Sequence, residues 1–386
     1  MILALALFAT GLTELAVVLT ARWWDMQAWR QSLVAYRVRL PSGLQPDDAA
    51  RWLAGIAATT HPARFALLPL PPVALETVAT RDGITHYVLV ANSTKHRLLA
   101  GLRAALPGAR IEEAPEYLER RPVFRLAAEL TMSTQKRPLA TERAESASAA
   151  LLAALQPVSG TNEVRVQWIV TSAGTPEPIH TANSKKEDRG WSSYLIEGTL
   201  PRDAEAVQAA RLKLREPLLR ATARIGVAAS DRNQAHALFG RVWNTLHALN
   251  APGVRLRRRW LTSPMVVRRM ADRTFPIAHW PLLVNTAEVA GIIGLPVAST
   301  YLPGISVGLA RQLPPSPAMA RRGTVLGVSN YPGMAERPLA LTAEDRLKHM
   351  FVLGPTGSGK SWFLAGLIGR TFAPATASWL WTPRAT

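Results

Sequence analysis

The chain has 386 residues and no cysteine, so disulfide bonds and cysteine-based metal sites are excluded. Hydrophobic residues make up 48% of the sequence, enough for two or three domains with buried cores. The formal net charge of +18 favours a polyanionic partner, either nucleic acid or an anionic membrane face, and a coding bias towards arginine is the alternative explanation. The histidines do not cluster at metal-ligand spacings, so the sequence predicts no metal site.

The N-terminal segment is a near-continuous apolar run. Residues 1–21 read MILALALFATGLTELAVVLTA, and Glu14 is the charge inside the run. The length suits a bilayer, and Arg22, Trp23 and Trp24 follow as an interfacial anchor. With further basic residues after it, the run predicts a single-pass anchor in the cell inner membrane and a cytoplasmic body. A buried amphipathic helix, or a helical end left by a misplaced start codon, is the alternative, because Glu14 is costly at the bilayer centre.

The first α/β region covers residues 30–114. Val34–Leu40 alternates apolar and polar residues like a strand, and a helix over Ala49–Ala58 follows. Arg81-Asp82-Gly83 separates two strand-like stretches and predicts a hairpin. A second helix and a short strand over Ala109–Glu113 complete the order β-α-β-β-α-β, which predicts a ferredoxin-like unit.

A similar order of elements recurs over residues 120–262. The expected strands are Pro122–Ser133, Glu163–Thr171, Leu219–Ala228 and Val254–Trp260. The expected helices are Thr141–Gln156, Asp203–Arg215 and a helix capped by Ser230 that ends at Leu249. Residues 172–191 form a polar loop whose composition predicts disorder. We therefore expect two ferredoxin-like α/β units in tandem, although no sequence identity between them supports a repeat.

The densest basic region begins at the end of this second unit and comprises Arg255, Arg257–Arg259 and Arg268–Arg269. A patch that contacts phosphates is one interpretation, and solvated arginines on a strand end and a helix face are at least as well supported. Trp260 and Trp280 are interpreted as core residues in preference to base-stacking platforms.

Residues 263–322 are expected to form a helical and proline-rich connector. It contains a short capped helix within Thr286–Pro296 and the extended LPPSP segment at 313–317. Arg321–Gly327 and Arg337–Leu341 then predict a β-ribbon with a turn at 331–333. Most of the ribbon lies in residues 323–370, the expected start of a P-loop ATPase domain.

The sequence GPTGSGKS at 354–361 matches the phosphate-loop pattern G-x-x-x-x-G-K-[ST]. An apolar run at His349–Leu353 predicts the strand that enters such a loop, and the residues from Trp362 predict the helix that leaves it. Backbone N–H groups of the loop would hold the phosphates of ATP, Lys360 would reach the β- and γ-phosphates, and Ser361 would ligate Mg²⁺. The predicted cofactor-binding residues are Gly354, Thr356, Gly357, Ser358, Gly359, Lys360 and Ser361. A glycine- and serine-rich turn that fits by chance is the alternative.

Too few residues follow this loop for the several parallel strands of a P-loop domain. The acidic motif that holds the water shell of Mg²⁺ is not found after the loop, so no catalytic residue is assigned. The sequence therefore predicts a phosphate loop without deciding whether the chain is an enzyme.

Several of these segments, taken in order, resemble a known family. They are the apolar N-terminus, the α/β region, NTAEVAGIIGLP at 285–296, LPPSP, RRGTVLGVSNYPG at 321–333 and the phosphate loop. The chain is similar to the conjugative DNA-transfer ATPases (coupling proteins) of type IV secretion, within the FtsK/HerA class of hexameric DNA pumps. The resemblance covers most of the chain from about Pro122 and is strongest from Thr286 to Ile368. It implies a membrane-linked homo-hexamer that moves DNA by ATP hydrolysis, with secretion-channel proteins as possible partners.

Only the phosphate-loop residues of that family map onto this sequence. The family's V-V-x-D-P-K-G-D stretch, its sensor and its inter-subunit arginines are missing. Residues 371–386 show no periodicity, and codons can be chosen for them whose shifted frame encodes DLRAGHGVVAVDPKGD. We therefore expect a frameshift near Arg370 that truncates the motor.

The expected function is the N-terminal portion of an ATP-driven DNA translocase that binds ATP but is inactive as truncated. The alternative is a non-enzymatic, basic, membrane-tethered module that binds DNA or helps to assemble a secretion channel. A small P-loop kinase fits poorly, because such enzymes place the loop near the start of the chain.

Overall fold

The computed structural model describes residues 2–41, 43–61, 71–175, 204–297, 315–329, 336–348, 350–352 and 359–372. The chain divides into two compact units, Met1–Ala310 and Arg311–Thr386. The first unit contains a large sheet with helices on both faces, and the second contains a two-stranded ribbon and a helix.

The first half of the first unit begins with a long helix, α1 (Ile2–Gln31). The elements that follow are β1 (Leu33–Arg39), α2 (Pro46–Thr59), β2 (Val73–Thr80), β3 (Gly83–Ala91), α3 (Lys95–Ala105), β4 (Arg110–Glu113) and the short helix α4 (Glu116–Glu119). Pro46 begins α2, where a missing N–H removes no helical hydrogen bond. Gly83 has a φ of +122° at the β2–β3 turn, a conformation that glycine adopts without strain. The hairpin predicted from Arg81-Asp82-Gly83 is confirmed.

The second half continues the alternation of strands and helices. Its elements are β5 (Leu126–Met132), α5 (Ala144–Leu155), β6 (Glu163–Ser172), α6 (Ala204–Leu214), β7 (Leu218–Ala228), α7 (Arg232–Leu246) and β8 (Leu256–Arg258). The side chain of Asp231 caps α7 by accepting hydrogen bonds from the N–H groups of Asn233 and Gln234, so the cap lies one residue after the predicted Ser230. Most of the predicted polar loop, 172–191, lies outside the described residues.

All the strands that the structure describes in this unit belong to one nine-stranded sheet. The main path runs β4-β1-β3-β2-β6-β7-β5-β8, and β9 (Leu282–Asn285) pairs with β7. Every pairing between these strands is antiparallel. The two halves repeat one pairing scheme, because β1 pairs with β3 and β4 just as β5 pairs with β7 and β8.

The expectation of two separate α/β units is therefore wrong. The strands β2 and β6 pair from Val73↔Val170 to Ala79↔Val164 and join the halves into a continuous sheet. Every residue of β6, and all of β2 except Thr80, is buried. If β2 and β6 were unpaired, the edge of each strand would expose a row of N–H and C=O groups. The junction of β2 with β6, which we call the seam, pairs these two rows with each other.

The two faces of the sheet are covered differently. The larger core lies under α2, α3, α5, α7 and the helix α9 (Thr286–Ile292), and includes Leu53, Trp168 and Phe239. The opposite face is covered by the end of α1, by α4 and by α8 (Ser263–Ala271), with smaller apolar clusters around Trp29 and Met270.

The N-terminal apolar run is the beginning of a longer helix and not a separate segment. The 30-residue α1 continues to Gln31, and its last turns pack on the sheet through the buried side chains of Met26 and Trp29. Trp29 Nε1 donates to Pro72 O at 2.8 Å, and Arg30 pairs with Asp272 at 3.1 Å. Among the residues that the structure describes, no helix has the length and apolar character needed to cross a membrane. The predicted inner-membrane anchor over residues 1–21 is therefore wrong.

The short helix α9 directly follows β9 and has a complete capping box. Asn285 accepts from the Glu288 N–H at 2.9 Å, and Glu288 Oε2 accepts from the Asn285 N–H at 2.6 Å. The predicted helix within Thr286–Pro296 is confirmed.

The second unit contains the predicted ribbon, formed by β10 (Thr324–Val328) and β11 (Pro338–Leu341), which pair antiparallel with a register shift between Val325 and Gly327. The predicted turn at 331–333 lies outside the described residues. A further helix, α10 (Lys360–Phe372), is the last described element.

Candidate functional site

The described part of the predicted phosphate loop is its last glycine and the helix that follows. Gly359 has a φ of +80°, in the left-handed region that favours glycine. Lys360 is the first residue of α10 and Ser361 is the second, so both lie at the positive end of the helix dipole. The other predicted loop residues lie outside the described residues: Gly354, Thr356, Gly357 and Ser358.

The strand expected before the loop is not found in its described part. Met350–Val352 has no strand pairing, and Phe351 is 86% exposed. A strand that enters a phosphate loop is buried between parallel neighbours, and the described residues of the second unit supply none. The predicted opening strand of a RecA-like domain is therefore wrong, whereas the helix predicted from Trp362 is present.

The residue types at the start of α10 fit a nucleotide's phosphates and Mg²⁺. A Cβ at Gly359 would meet nothing within 4 Å, so backbone conformation, and not lack of space, calls for glycine there. Lys360 supplies a cation, and the Ser361 hydroxyl is a hard oxygen ligand of the kind Mg²⁺ prefers. No aspartate or glutamate lies between Met350 and Phe372 in the sequence. In the described part of the chain, no group of three or more His, Cys, Asp and Glu residues could hold a metal.

A polar row crosses the first unit's sheet in register on four neighbouring strands. It consists of Glu76 on β2, Gln167 on β6, Arg224 on β7 and Glu129 on β5. Gln167 Nε2 donates to Glu76 Oε1 at 2.8 Å, and Gln167 Oε1 accepts from Arg224 Nη1 at 2.9 Å. Arg224 Nε then donates to Glu129 Oε2 at 2.9 Å. The polar row therefore crosses the seam as a continuous hydrogen-bonded chain.

Additional groups satisfy the carboxylate of Glu76. Arg165 Nη1 donates to it at 3.1 Å, Arg273 Nε donates at 3.2 Å, and the Tyr117 hydroxyl also donates to it. Glu163 pairs with the other side of Arg165 at 2.7 Å. All of these side chains are buried, so each carboxylate and guanidinium group offsets the desolvation of its partner.

These contacts keep the buried carboxylates ionised. Burial alone would raise the pKa of Glu76, but Arg273 and Arg165, with the hydrogen bonds of Tyr117 and Gln167, lower it below 4.5. The pKa of Glu129 is likewise lowered, because Arg224 and Arg259 outweigh the effect of burial. Burial raises the pKa of Tyr117 well above 10, so its hydroxyl stays protonated and can donate to Glu76. Ionised, paired and buried groups of this kind stabilise the seam and are poor general acids or bases.

The sequence interpretation missed this network. The strands β6 and β7 place polar residues at alternate positions over much of their length, a pattern typical of a strand with one solvated face. The end of α1, α4 and α8 instead cover that face. The signal that could have revealed the network is the balance of charges within the predicted strands. These strands contain arginines as well as Glu76, Glu129 and Glu163, and oppositely charged residues can be buried as pairs.

A second buried ion pair lies beneath α9. Lys213 Nζ donates to Glu288 Oε2 at 2.7 Å and to Oε1 at 2.9 Å. Glu288 Oε1 also accepts from the Leu139 N–H at 2.6 Å. Burial lowers the pKa of Lys213, and Glu288 opposes that shift. The pair thus connects α6, α9 and the segment before α5.

The exposed residues of the dense basic region lie on and beside the edge strand β8, with one on α8, and we call them the basic edge: Arg255, Arg257, Arg258, Trp260 and Arg268. The strand β8 is the last on the path and pairs only with β5 among the described strands. All five side chains are exposed, and Trp260 has a relative exposure of 102%. The interpretation of Trp260 as a core residue is therefore wrong, whereas Trp280 is partly buried and stacks on Phe275 at 5.9 Å.

A cleft of about 470 Å³ opens between α6 and the segment before α5. It is lined by charges of both signs, and Arg137 Nη1 contacts Glu205 Oε1 within it at 2.8 Å. Because opposite charges pair inside the cleft, its lining does not select an anionic or a cationic ligand.

The chain is thus a mixed α/β protein with a large antiparallel sheet in its first unit. Comparison of the chain with models of known protein families found no match, and comparison with curated proteins found none either.

Proposed function

We propose that the chain is part of an ATP-driven DNA translocase of the FtsK/HerA class and binds the phosphates of ATP through residues 354–361. The observation that carries the proposal is the conformation of Gly359. Its positive φ turns the chain into α10 immediately before Lys360, so that the Gly-Lys pair of the phosphate-loop pattern lies at a helix N-terminus. In this proposal Lys360 contacts the β- and γ-phosphates, and Ser361 contributes a ligand to Mg²⁺.

The net charge of the chain and its resemblance to DNA pumps support DNA as the substrate. The net charge of +18 suits a polyanionic substrate, and the order of segments from Thr286 to Ile368 is similar to that of conjugative DNA pumps. In that class, nucleotide and DNA binding are coupled, and the translocase works as a homo-oligomer.

Nucleotide binding is tested with the full chain and ATP that carries a methylanthraniloyl fluorophore. Trp362 is exposed and lies two residues after Lys360, so energy transfer from it reports a nucleotide at this loop. We expect Lys360→Ala to weaken binding about 10- to 100-fold, the effect of losing a hydrogen bond from a charged group. We expect Ser361→Ala to remove mainly the dependence on Mg²⁺.

The matched control is Lys348→Ala, which removes the same charge from the same unit outside the loop. A further control is Trp362→Phe, which should abolish energy transfer while binding, measured by anisotropy, persists. Equal affinities of the Lys360→Ala variant and the unchanged protein would overturn the nucleotide site. If nucleotide binds at Lys360 but saturating duplex DNA leaves its affinity unchanged, the translocase assignment fails and the nucleotide site stands.

A further inference from the structure

We infer that the basic edge binds single-stranded nucleic acid, with Trp260 as a platform for an unpaired base and its neighbouring arginines as contacts for phosphates. This site lies in the first unit and rests on residues of β8 and α8. It therefore holds or fails independently of nucleotide binding at Lys360.

Trp260 lies at an exposed turn. The Leu261 N–H donates to Arg259 O at 2.7 Å, so Trp260 occupies the tip of a tight turn at the end of β8. The indole is fully exposed, and no ring or cation–π partner of it exists among the described residues. A tryptophan side chain gains more than most from burial, and one displayed at a turn tip is typical of a contact surface.

The sequence around this tryptophan is strongly basic. From Arg255 to Ala271 the sequence contains six arginines and no acidic residue. Glu129 takes up the charge of Arg259, at 2.6 Å, and also lies 3.7 Å from Arg269. The arginines of the basic edge have no carboxylate partner in the described part of the chain, which leaves them available to a polyanion.

Contacts within the protein also order the side chain of Arg258. Its guanidinium lies 4.4 Å from the ring centre of Phe239 and 4.8 Å from that of Trp243. Stacking fixes the plane of the guanidinium and leaves its N–H edges free for phosphate oxygens. Less side-chain entropy is then lost on binding.

The geometry favours a single strand over the other polyanions. A base can stack on an exposed indole only when it is unstacked from its neighbours, as in a single strand. Alternate residues of a strand point to opposite faces, so Arg257 and Arg258 lie on the two faces of β8. A flexible chain can wrap around such an edge, whereas a flat lipid surface would contact one face only.

The test measures binding of the full chain to a fluorescein-labelled oligothymidylate of about 20 nucleotides, which exceeds the usual site size of one domain. Trp260→Ala should weaken binding about tenfold or more, because base–aromatic stacking contributes that much per base. Trp260→Phe should bind with intermediate affinity. Because Trp260 is fully exposed, the thermal midpoint should stay unchanged in both variants.

The electrostatic contacts are tested by the dependence of affinity on salt between about 50 and 200 mM. Arg257→Ala with Arg268→Ala should reduce the slope of log affinity against log salt by about 0.7 for each lost phosphate contact. Trp260→Ala should leave the slope unchanged. The control is Arg97→Ala with Arg103→Ala, which removes equal charge from the exposed face of α3 in the other half of the sheet.

Lys360→Ala should not affect oligonucleotide binding, which separates this site from the phosphate loop. The inference is overturned if Trp260→Ala binds the oligonucleotide as tightly as the unchanged protein does, or if duplex DNA binds more tightly than the single strand. It is also overturned if Trp260→Ala weakens binding to vesicles of phosphatidylcholine and phosphatidylserine but leaves binding to the oligonucleotide unchanged. The basic edge would then be a lipid contact.

Discussion

Glu76 and Gln167 face each other in register across the seam, and the Gln167 Nε2 donates to Glu76 at 2.8 Å. Glu76 belongs to the first half of the sheet and Gln167 to the second. The two halves are therefore joined by a buried polar contact as well as by the backbone hydrogen bonds of β2 and β6. This contact gives the seam a specific register, because a shift by one residue would place charged groups in the apolar core on the other face.

The first prediction concerns the charge of Glu76. Glu76→Gln would leave Arg165 and Arg273 buried with less compensating charge, and we expect it to lower the free energy of unfolding by about 3 kcal/mol. The measurement is urea unfolding followed by tryptophan fluorescence. The control is Glu113→Gln, an exposed carboxylate that accepts from the Tyr36 hydroxyl at 3.1 Å, with an expected loss below about 1 kcal/mol. Equal effects of the two variants would contradict this account of the seam.

The second prediction is that acid destabilises the first unit through the same carboxylates. The pKa values of Glu76 and Glu129 are lower in the folded protein than the ordinary value of 4.5. Their contribution to stability is therefore complete above pH 4.5 and is lost as the pH falls through the lowered folded pKa, because the unfolded chain binds protons first. Urea unfolding at a series of pH values should show this decline, and Glu76→Gln should make it shallower. A stability that is constant on acidification below pH 4.5 would rule the mechanism out.

The third prediction concerns the ion pair beneath α9. Lys213→Met keeps most of the side-chain volume but leaves Glu288 buried without its cation, and we expect a loss of about 3 kcal/mol. Lys136→Met is the control, because Lys136 is exposed and a surface change of this kind usually stays within about 0.5 kcal/mol. Chemical unfolding of both variants measures the difference, and a neutral Lys213→Met would show that the pair does not hold α6 to α9.

Local patterns predicted the individual elements well. The strand-like alternation of Val34–Leu40 and the hairpin signal at Arg81-Asp82-Gly83 each correspond to an observed element. Such patterns depend on residues close in the chain, and periodicity reports them directly. The β-ribbon ending at Leu341 was recognised for the same reason.

The arrangement of those elements could not be read from the sequence. Periodicity shows that a strand has two chemically different faces, but not what covers the polar face, so it does not reveal that Arg224 is buried. The apolar run before Arg22 has the composition of a membrane segment, and only tertiary contacts such as Trp29 with Phe275 show that its helix continues onto a sheet. For Trp260, residue type favoured the core, and the turn that exposes it depends on a hydrogen bond between its two neighbours.

The last prediction tests the close approach of α5 and α9. A Cβ added at Gly291 would lie 3.0 Å from Ala144 Cα and 3.1 Å from Ala144 Cβ, so the backbones of the two elements would have to separate. We expect Gly291→Ala to destabilise the first unit by about 1–3 kcal/mol, the usual cost of overpacking a core. Gly240→Ala is the matched control, because Gly240 lies inside α7 and its Cβ would meet nothing within 4 Å. That variant should instead stabilise the protein by about 0.5–1 kcal/mol through helix propensity. Opposite signs of the two changes in urea unfolding are the expected result, and a stabilising Gly291→Ala would mean that α9 can move away from α5 at no cost.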